Sequence, residues 1–266
     1  MKTKKILITG SGSGLGKEAA ICLAKRGHKV YATTEYEDQI KHLEEIKDRE
    51  NLDMECFKLD ILLKEDREKI KDYDIDVLIC NAAIGDSGSI AEVSVDRIEN
   101  VMETNIFSSI KLIQLVLKRM IEIKHEGRII IISSLVGRIP MAFLGPYCMS
   151  KFAIEGYATC LYKEMKQLPK ADIEICMIEP GAYATGFNKE NCEKKYEWMN
   201  KNSYFKDILP SLKKKEEIIW NLIEQKNYNS VIKQYVKAVE TNHLRLRYTA
   251  PKFQAFFVQL GRILGM

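Results

Sequence analysis

The chain has 266 residues, 46% of them hydrophobic and 29% charged, with a net charge of +4 from 41 basic and 37 acidic residues. This length and composition are typical of one globular domain, and the balanced charge argues against a nucleic-acid partner. Seven scattered cysteines without C-x-x-C spacing fit neither a secreted disulfide framework nor a metal site, so we expect reduced thiols in a cytoplasmic protein. No apolar run reaches the length of a membrane span.

Short apolar segments alternate with amphipathic ones, which predicts an α/β domain, a doubly wound parallel sheet (Rossmann fold) with helices on both faces. Strands are expected at about 4–9, 28–33, 54–59, 76–81, 127–133 and 172–178, and helices at about 14–26, 37–49, 63–71, 95–123 and 146–168. The alternation stops near residue 186. We expect a substrate lid over 186–228, a helix at 230–241 and an apolar, basic tail at 244–266, all within one domain spanning 1–266.

The first predicted strand runs into a glycine-rich turn, Gly10-Ser-Gly-Ser-Gly-Leu-Gly16, which opens a helical pattern. Glycines let backbone N–H groups approach a pyrophosphate closely, and the helix N-terminus favours its negative charge. The turn therefore indicates a dinucleotide site. A tight turn that binds no ligand is the alternative.

Tyr147 and Lys151 lie four residues apart in a helical pattern, and so share one face of the helix. A nearby ammonium lowers the pKa of a phenol from about 10, which would let the pair move a proton on or off an alcohol. A chance pair on an amphipathic helix is the alternative. Ser134 follows the apolar run before this helix, at the end of a parallel strand where ligands bind; its ordinary role there is a turn or cap hydroxyl.

Several motifs occur together, in a fixed order, between about residues 4 and 188: Thr9-Gly-x-x-x-Gly-x-Gly16, Asn81-Ala-Ala-x-Gly85, Asn105, Ser134, Tyr147-x-x-x-Lys151 and Pro180-Gly-x-x-x-Thr185. In combination they resemble the short-chain dehydrogenase/reductase (SDR) family. Two strand segments, Lys29–Thr33 and Val77–Asn81, are most similar to its hydroxysteroid and retinol dehydrogenase branch.

The resemblance implies a catalytic quartet of Asn105, Ser134, Tyr147 and Lys151. Tyr147 would exchange the proton with the substrate oxygen, and Ser134 would polarise and hold that oxygen. Lys151 would lower the tyrosine pKa and bind the nicotinamide ribose. Asn105 would shape its helix and hold a water in the proton path.

The resemblance also implies contacts to a nicotinamide dinucleotide beyond those of Tyr147 and Lys151. The residues are Gly10, Ser13, Gly14, Leu15 and Gly16 at the pyrophosphate, Asp60 at the adenine, Asn81 and Ala82 on the adenosine side, Pro180 beside the nicotinamide ring and Thr185 on its amide. A cap on the following helix is the alternative role for Asp60.

The choice between NAD(H) and NADP(H) depends on the end of the second strand, where Thr34 and Glu35 stand. In similar steroid enzymes Thr34 aligns with the acid that binds a ribose hydroxyl and Glu35 with the arginine that binds a phosphate, so this chain departs from both patterns. Thr33 and Thr34 could tolerate a phosphate, whereas Glu35 would repel one. We therefore favour NAD(H).

The sequence predicts an NAD(P)-dependent alcohol dehydrogenase or carbonyl reductase acting on a fairly apolar small molecule. The alternatives are a non-catalytic nucleotide sensor or scaffold with the same fold and, ranked lowest, an epimerase or dehydratase. The lid aromatics either cover the substrate or only pack the lid onto the domain. Similar proteins lead us to expect a homodimer or homotetramer through the helices at 95–123 and 146–168, without an integral membrane span. For the tail we favour packing within an oligomer over capping the cleft or touching a membrane surface.

Overall fold

Seven strands form one parallel sheet in the computed structural model, which describes residues 2–265. They are β1 (Lys5–Ile8), β2 (Lys29–Thr34), β3 (Met54–Lys58), β4 (Val77–Cys80), β5 (Glu126–Ile132), β6 (Asp172–Pro180) and β7 (Arg247–Ala250). Their order in the sheet is β3-β2-β1-β4-β5-β6-β7, and each neighbouring pair is parallel. The predicted doubly wound sheet is confirmed.

Ten α-helices accompany the strands in the described residues. They are α1 (Gly14–Lys25), α2 (Glu37–Glu50), α3 (Lys64–Lys69), α4 (Val95–Met102), α5 (Ser109–Arg119), α6 (Gly145–Met165), α7 (Phe187–Asn202), α8 (Leu209–Ile223), α9 (Asn229–Glu240) and α10 (Lys252–Ile263). A π-helical turn, Glu103–Ser108, joins α4 to α5. None of these helices is long and apolar enough to cross a membrane.

The expectation that the strand–helix alternation stops at residue 186 is wrong. α9 returns the chain to the sheet, and β7 pairs with β6 from Met177↔Arg247 to Pro180↔Ala250. β7 has only four residues, two of them partly exposed, because it lies at the edge of the sheet. It therefore lacks the continuous apolar run that identified the inner strands.

The apolar core has two layers, one on each face of the sheet, because alternate side chains of a strand point to opposite faces. Ile6 and Ile8 of β1 pack in the layer that also holds side chains of α1, α2 and α9. Leu7 packs in the opposite layer with side chains of α5 and α6. Cys80 and Cys176 are buried members of these layers, so their thiols serve as small core groups.

The segment predicted to be the lid contains α7 and α8, and both of its ends join the domain at one place, which we call the neck. The N–H of Gln225 donates to the carbonyl of Ala182, and the N–H of Ala184 donates to the carbonyl of Gln225, both at 3.0 Å. These bonds bring the two ends of the lid together just beyond β6.

Two cations hold the C-terminal end of α9 against the sheet. The guanidinium of Arg128, in β5, donates to the carbonyls of Ala238 and Val239 at 2.6 and 2.8 Å. The ammonium of Lys4 donates to the carbonyl of Val239 at 2.6 Å. Both charges complement the negative end of the helix dipole and bond carbonyls that have no partner within the helix.

Replacing Arg128 with methionine should therefore lower the free energy of unfolding by about 3 kcal/mol, because buried carbonyls of α9 lose their donor. Urea unfolding followed by circular dichroism measures this change. Arg49→Met is the matched control, since its exposed ion pair with Glu50 contributes under about 1 kcal/mol. Equal effects of the two substitutions would contradict the role assigned to Arg128.

Candidate active site

The candidate residues meet at the carboxyl edge of the sheet, at the ends of its central strands. β1 and β4 are neighbours there, although two strands separate them in the chain. This is the point where the strand order reverses and where doubly wound folds bind their ligands. Gly10 and Asn81 follow these two strands, Ser134 follows β5, and Pro180 ends β6.

The glycine-rich turn has the geometry that a pyrophosphate requires. Gly10 and Gly14 have φ angles of 67° and 55°, in the left-handed region that glycine adopts without strain. A Cβ on Gly16 would lie 2.3 Å from the carbonyl oxygen of Gly10, so only glycine fits there. Ser13 makes no side-chain cap bond to α1, and the first turn of α1 contains no acidic residue. These residues therefore fit a dinucleotide, whose phosphates would accept hydrogen bonds from the free N–H groups of α1.

Thr9 and Asn81 lock this turn onto the end of β4. The Asn81 side-chain amide donates to the carbonyls of Thr9 and Gly10, each at 3.0 Å. The Thr9 hydroxyl accepts from the N–H groups of Asn81 and Ala82, also at 3.0 Å. The hydroxyl of Tyr235, in α9, donates to Oδ1 of Asn81 at 3.1 Å. Asn81 is thus bonded entirely within the protein, and Tyr235 is a supporting residue that the sequence analysis missed.

Lys151 and Tyr147 lie one turn apart on α6, as predicted. The Lys151 ammonium is buried, donates to the carbonyl of Ile132 at 3.0 Å, and lies 5.5 Å from the centroid of the Tyr147 ring. The Ser134 side chain lies near the Tyr147 phenol, and its hydroxyl donates to the carbonyl of Pro180 at 3.4 Å. The Ser134 hydroxyl also accepts from the N–H of Val136 at 3.3 Å, so its turn role and its place beside the tyrosine coexist.

Asn105 lies in the π-helical turn and reaches α6 through Ser150. Its amide donates to the carbonyl of Ile84 and to the Ser150 hydroxyl, each at 2.9 Å, and its Oδ1 accepts from the N–H of Ile84 at 2.8 Å. The Ser150 hydroxyl in turn donates to the carbonyl of Tyr147 at 2.8 Å. Asn105 thus fixes the start of α6, through a serine that sequence reasoning did not identify.

The electrostatics of the pair differ from the sequence-based expectation. Burial raises the pKa of Tyr147, and the nearby Ser134 hydroxyl opposes this only in part. Burial also lowers the pKa of Lys151 to about 8, against the opposing effect of the Glu155 carboxylate. Because desolvation disfavours the charged form of each group, the expectation that the protein's own lysine brings the tyrosine pKa below its ordinary value is wrong.

The residues around the end of β2 are bonded more tightly than expected. The Thr33 hydroxyl donates to the carbonyl of Ile8 at 3.0 Å, and the Thr34 hydroxyl to the carbonyl of Tyr36 at 2.8 Å. Both threonines are buried, so their hydroxyls are not free to bind a phosphate, contrary to expectation. Glu35 is exposed, and its charge raises the pKa of the neighbouring Tyr36 phenol.

Asp60 lies two residues beyond the end of β3. Its Oδ1 accepts from the N–H of Leu62 at 2.8 Å. The carboxylate therefore orders the turn before α3, close to the capping role named as its alternative.

The lid aromatics divide into two groups. Phe187 of α7 lies 5.4 Å from the Tyr147 ring, centroid to centroid, and Trp220 of α8 packs in a small cluster with Tyr147. Trp198 and Phe205 instead pack in a separate cluster with Phe143 of the domain, and the Trp198 indole N–H donates to the carbonyl of Ser87 at 3.4 Å. Packing of the lid onto the domain is thus observed, and covering of a substrate by Phe187 and Trp220 stays a prediction.

Thr185 and Cys148 also lie at this edge. Thr185 lies against the glycine turn, since a Cβ on Gly14 would be 3.4 Å from the Thr185 Cβ. Cys148, next to the tyrosine, is buried, and burial raises the pKa of its thiol. The Cys148 thiol therefore serves as a small core group.

A groove of about 640 Å³ lies elsewhere, between α3 and α5, and none of the candidate residues lines it. We therefore identify the site by its reactive side chains, which lie at the carboxyl edge of the sheet, and not by the size of a cavity. A dinucleotide turn there, beside a tyrosine, a lysine and a serine, defines a nicotinamide-dependent dehydrogenase or reductase.

Comparison with known proteins identifies the family. The chain belongs to the short-chain dehydrogenase family: the family profile described as "short chain dehydrogenase" matches residues 4–196. It is accordingly an NAD(P)-dependent oxidoreductase that interconverts alcohols and carbonyl compounds. The sensor alternative is not supported.

Among its relatives is a 3-ketodihydrosphingosine reductase of Bacteroides thetaiotaomicron, 33% identical over 82% of this chain and 78% of the relative. Estradiol 17-beta-dehydrogenase 1 of Rattus norvegicus is 30% identical over 71% of this chain, which spans only 57% of that longer protein. The crystal structure of an SDR from Burkholderia phymatum in complex with NAD has a TM-score of 0.82 at 17% identity, covering 98% of this chain and 93% of that one. The similarity to the steroid branch is thus confirmed, and the solved structure confirms the fold.

Gly16→Ala tests the geometry of the turn. The new methyl group would collide with the Gly10 carbonyl and the Asn81 amide, so the turn must move, and we expect the Kd for NADH to rise about tenfold or more. Fluorescence titration measures this. Gly156→Ala is the control, because a Cβ at Gly156 meets nothing within 4 Å. If Gly16→Ala binds NADH as well as the native protein does, the turn does not hold the cofactor.

Proposed function

We propose that this enzyme interconverts a fairly apolar alcohol and its ketone or aldehyde, with Tyr147 as the group that exchanges a proton with the substrate oxygen. The observation that carries the proposal is the convergence of Tyr147, Ser134 and Lys151 beneath the lid aromatics. The phenol is the proton carrier, and Ser134 is the second hydroxyl within reach of the same oxygen.

In the reduction direction, Tyr147 donates its proton to the carbonyl oxygen while the Ser134 hydroxyl holds that oxygen by a hydrogen bond. When bound, the nicotinamide supplies or accepts the hydride. With a pKa of about 8, Lys151 is mainly protonated at pH 7. Its charge stabilises the phenolate that Tyr147 becomes, and its ammonium binds the ribose hydroxyls.

Asn105 supports these groups by fixing the start of α6 through Ser150 and by holding a water on the proton path. Contacts to the cofactor come from Gly10, Ser13, Gly14, Leu15, Gly16, Asp60, Ala82, Pro180 and Thr185. Asn81 lines the adenosine side together with Ala82, and its side chain also supports the turn.

The apolar character of the substrate is supported by Phe187, whose ring lies 5.4 Å from that of Tyr147, and by Trp220, which packs in the same small cluster as Tyr147. Apolar aromatic walls fit a hydrocarbon skeleton better than a polar one. Two relatives are named for 3-ketodihydrosphingosine and estradiol, which is consistent with a hydrophobic substrate here.

NAD(H) is the proposed cofactor. The exposed carboxylate of Glu35 would accept hydrogen bonds from ribose hydroxyls and repel a 2′-phosphate. The engagement of Thr33 and Thr34 with backbone carbonyls adds support, because it removes two hydroxyl donors that a phosphate would need.

The cellular setting and the assembly are also proposals. All seven cysteines are free, which fits a reducing cytoplasm. Phe107 in the π-helical turn and Met149 and Phe152 in α6 are 43–50% exposed. These apolar side chains suit a homodimer or homotetramer interface through α5 and α6.

Tyr147→Phe should lower kcat by about 100-fold or more, because the proton donor is lost, while the Kd for NADH stays nearly unchanged. Steady-state turnover and fluorescence titration on one preparation give both values. Tyr157→Phe, on the same helix, is the control and should retain activity. A loss of NADH affinity as large as the loss of rate would assign Tyr147 to binding instead.

Glu35→Arg should improve the ratio of NADPH to NADH affinity by about tenfold or more, since a repulsive charge becomes an attractive one. Parallel titrations with both cofactors measure the ratio. Glu45→Arg, an equally exposed change on α2, controls for net charge. An unchanged ratio would mean that Glu35 does not face the ribose, and Lys58, in register with Thr34 on β3, would be the next residue to test.

A further inference from the structure

The C-terminal helix α10 presents its apolar stripe to solvent instead of to the protein. Phe253, Phe256, Phe257, Leu260 and Ile263 recur at the spacing of one helix face, yet they are 41–72% exposed. The side that faces the protein carries only Gln254, Ala255, Val258 and Gly261. An amphipathic helix normally buries its apolar stripe, so this helix is built to contact something outside its own chain.

The outer face of α8 continues this apolar surface. Ile218, Ile219 and Leu222 are 45–80% exposed and lie on one side of the helix, together with Lys215. The side-chain amide of Gln254, in α10, donates to the carbonyl of Ile223 at 2.8 Å. This bond brings the C-terminal end of α8 beside the N-terminal end of α10. We call the exposed apolar side chains of the two helices the α8/α10 face.

The α8/α10 face adjoins the candidate active site. Trp220, on the inner side of α8, packs against the same cluster of Leu144, Cys148 and Cys192 as Tyr147 does, while Ile219 and Leu222 on the same helix are exposed. Oε1 of Gln254 accepts from the N–H of Ala182 at 2.8 Å, immediately after the Pro180–Gly181 segment. One thin layer of protein therefore separates the apolar outer surface from the site of chemistry.

The charges around this face favour an anionic surface. Between residues 241 and 265 the sequence contains three arginines and one lysine but no aspartate or glutamate. Arg247 is used internally, in an ion pair with Glu155 at 2.8 Å. Lys252 of α10 and Lys215 of α8 are exposed and border the apolar side chains, whereas Arg262 is exposed on the other side of α10. Glu217 of α8 is exposed but lies off the apolar stripe.

We propose that the α8/α10 face docks onto an anionic lipid bilayer, with the phenylalanines in the interface and the basic groups against the lipid headgroups. An apolar stripe with phenylalanines and flanking cations is the composition of helices that lie in a bilayer surface. Docking would hold the lid at the membrane, so that a lipophilic substrate enters from the bilayer. Entry of the substrate from the bilayer rests on the proposed function, because it requires an apolar substrate; the docking itself does not.

The test is co-sedimentation of the full chain with vesicles of phosphatidylcholine alone and of phosphatidylcholine mixed with phosphatidylglycerol. We expect binding to the mixed vesicles that weakens as salt is raised. The double variant Phe256→Ser/Phe257→Ser should lower the ratio of bound to free protein about tenfold or more. Lys215→Glu should reduce the preference for the anionic vesicles. Val95→Ser removes an apolar side chain that is 65% exposed on α4, and should bind like the native chain.

NADH titration of each variant shows that it is folded, since none of these residues belongs to the catalytic or cofactor site. Native protein that stays in the supernatant with both kinds of vesicle overturns the proposal. If, in addition, the double variant has a lower mass by light scattering, the α8/α10 face joins two copies of this chain instead. Vesicle binding without turnover of any alcohol would leave the docking supported and the proposed function refuted. Turnover of an alcohol without vesicle binding would refute the docking and leave the proposed function supported.

Discussion

The hydrogen bonds that join Thr9 to Asn81 hold together the edge on which the candidate site is built. They connect the ends of two strands that neighbour each other only because the strand order reverses there. The Thr9 hydroxyl and the Asn81 amide form hydrogen bonds with backbone groups at the ends of β1 and β4 that have no partner in a neighbouring strand. Leaving such buried groups without a hydrogen bond would lower the stability of the fold. Because Tyr235 completes the bonding of Asn81, the geometry of the turn depends on a helix far away in the chain.

The chemistry of the site depends on a second constraint, the burial of charge. Lys151 lies in the interior with its ammonium bonded to a single carbonyl, which makes its protonation responsive to its neighbours. Glu155, one turn further along α6, favours the charged form and is itself paired with Arg247 of β7. The edge strand thus contributes to the electrostatics of the lysine through one intermediate carboxylate. Burial keeps the Tyr147 phenol protonated, as a proton donor to a carbonyl oxygen must be, and brings the pKa of Lys151 to about 8, close to neutrality.

The sequence was informative where local pattern and topology act together. Runs such as Ile129–Ile132 identify inner strands, and the carboxyl ends of parallel strands must meet at one edge, so pattern alone places Gly10 and Ser134 near each other. Tyr147 was added to them by the family resemblance. β7 was missed because an edge strand of four residues has no continuous apolar signal. Tyr235, Ser150 and Gln254 were missed because their partners are distant in sequence or lie on the backbone. The sign of the Tyr147 pKa shift was wrong because burial, which decides it, is a property of the packed molecule.

The neck at Gln225 has a consequence for how this enzyme can change over time. Both ends of the lid join the domain at one point. The segment between them is therefore an insertion whose two ends are held together by the backbone hydrogen bonds of Gln225. The entropy of closing such a segment grows only with the logarithm of its length, so lengthening or replacing it costs the sheet little. New substrate preferences can therefore arise by exchange of the lid alone, while the groups that move the proton and hold the dinucleotide stay in place.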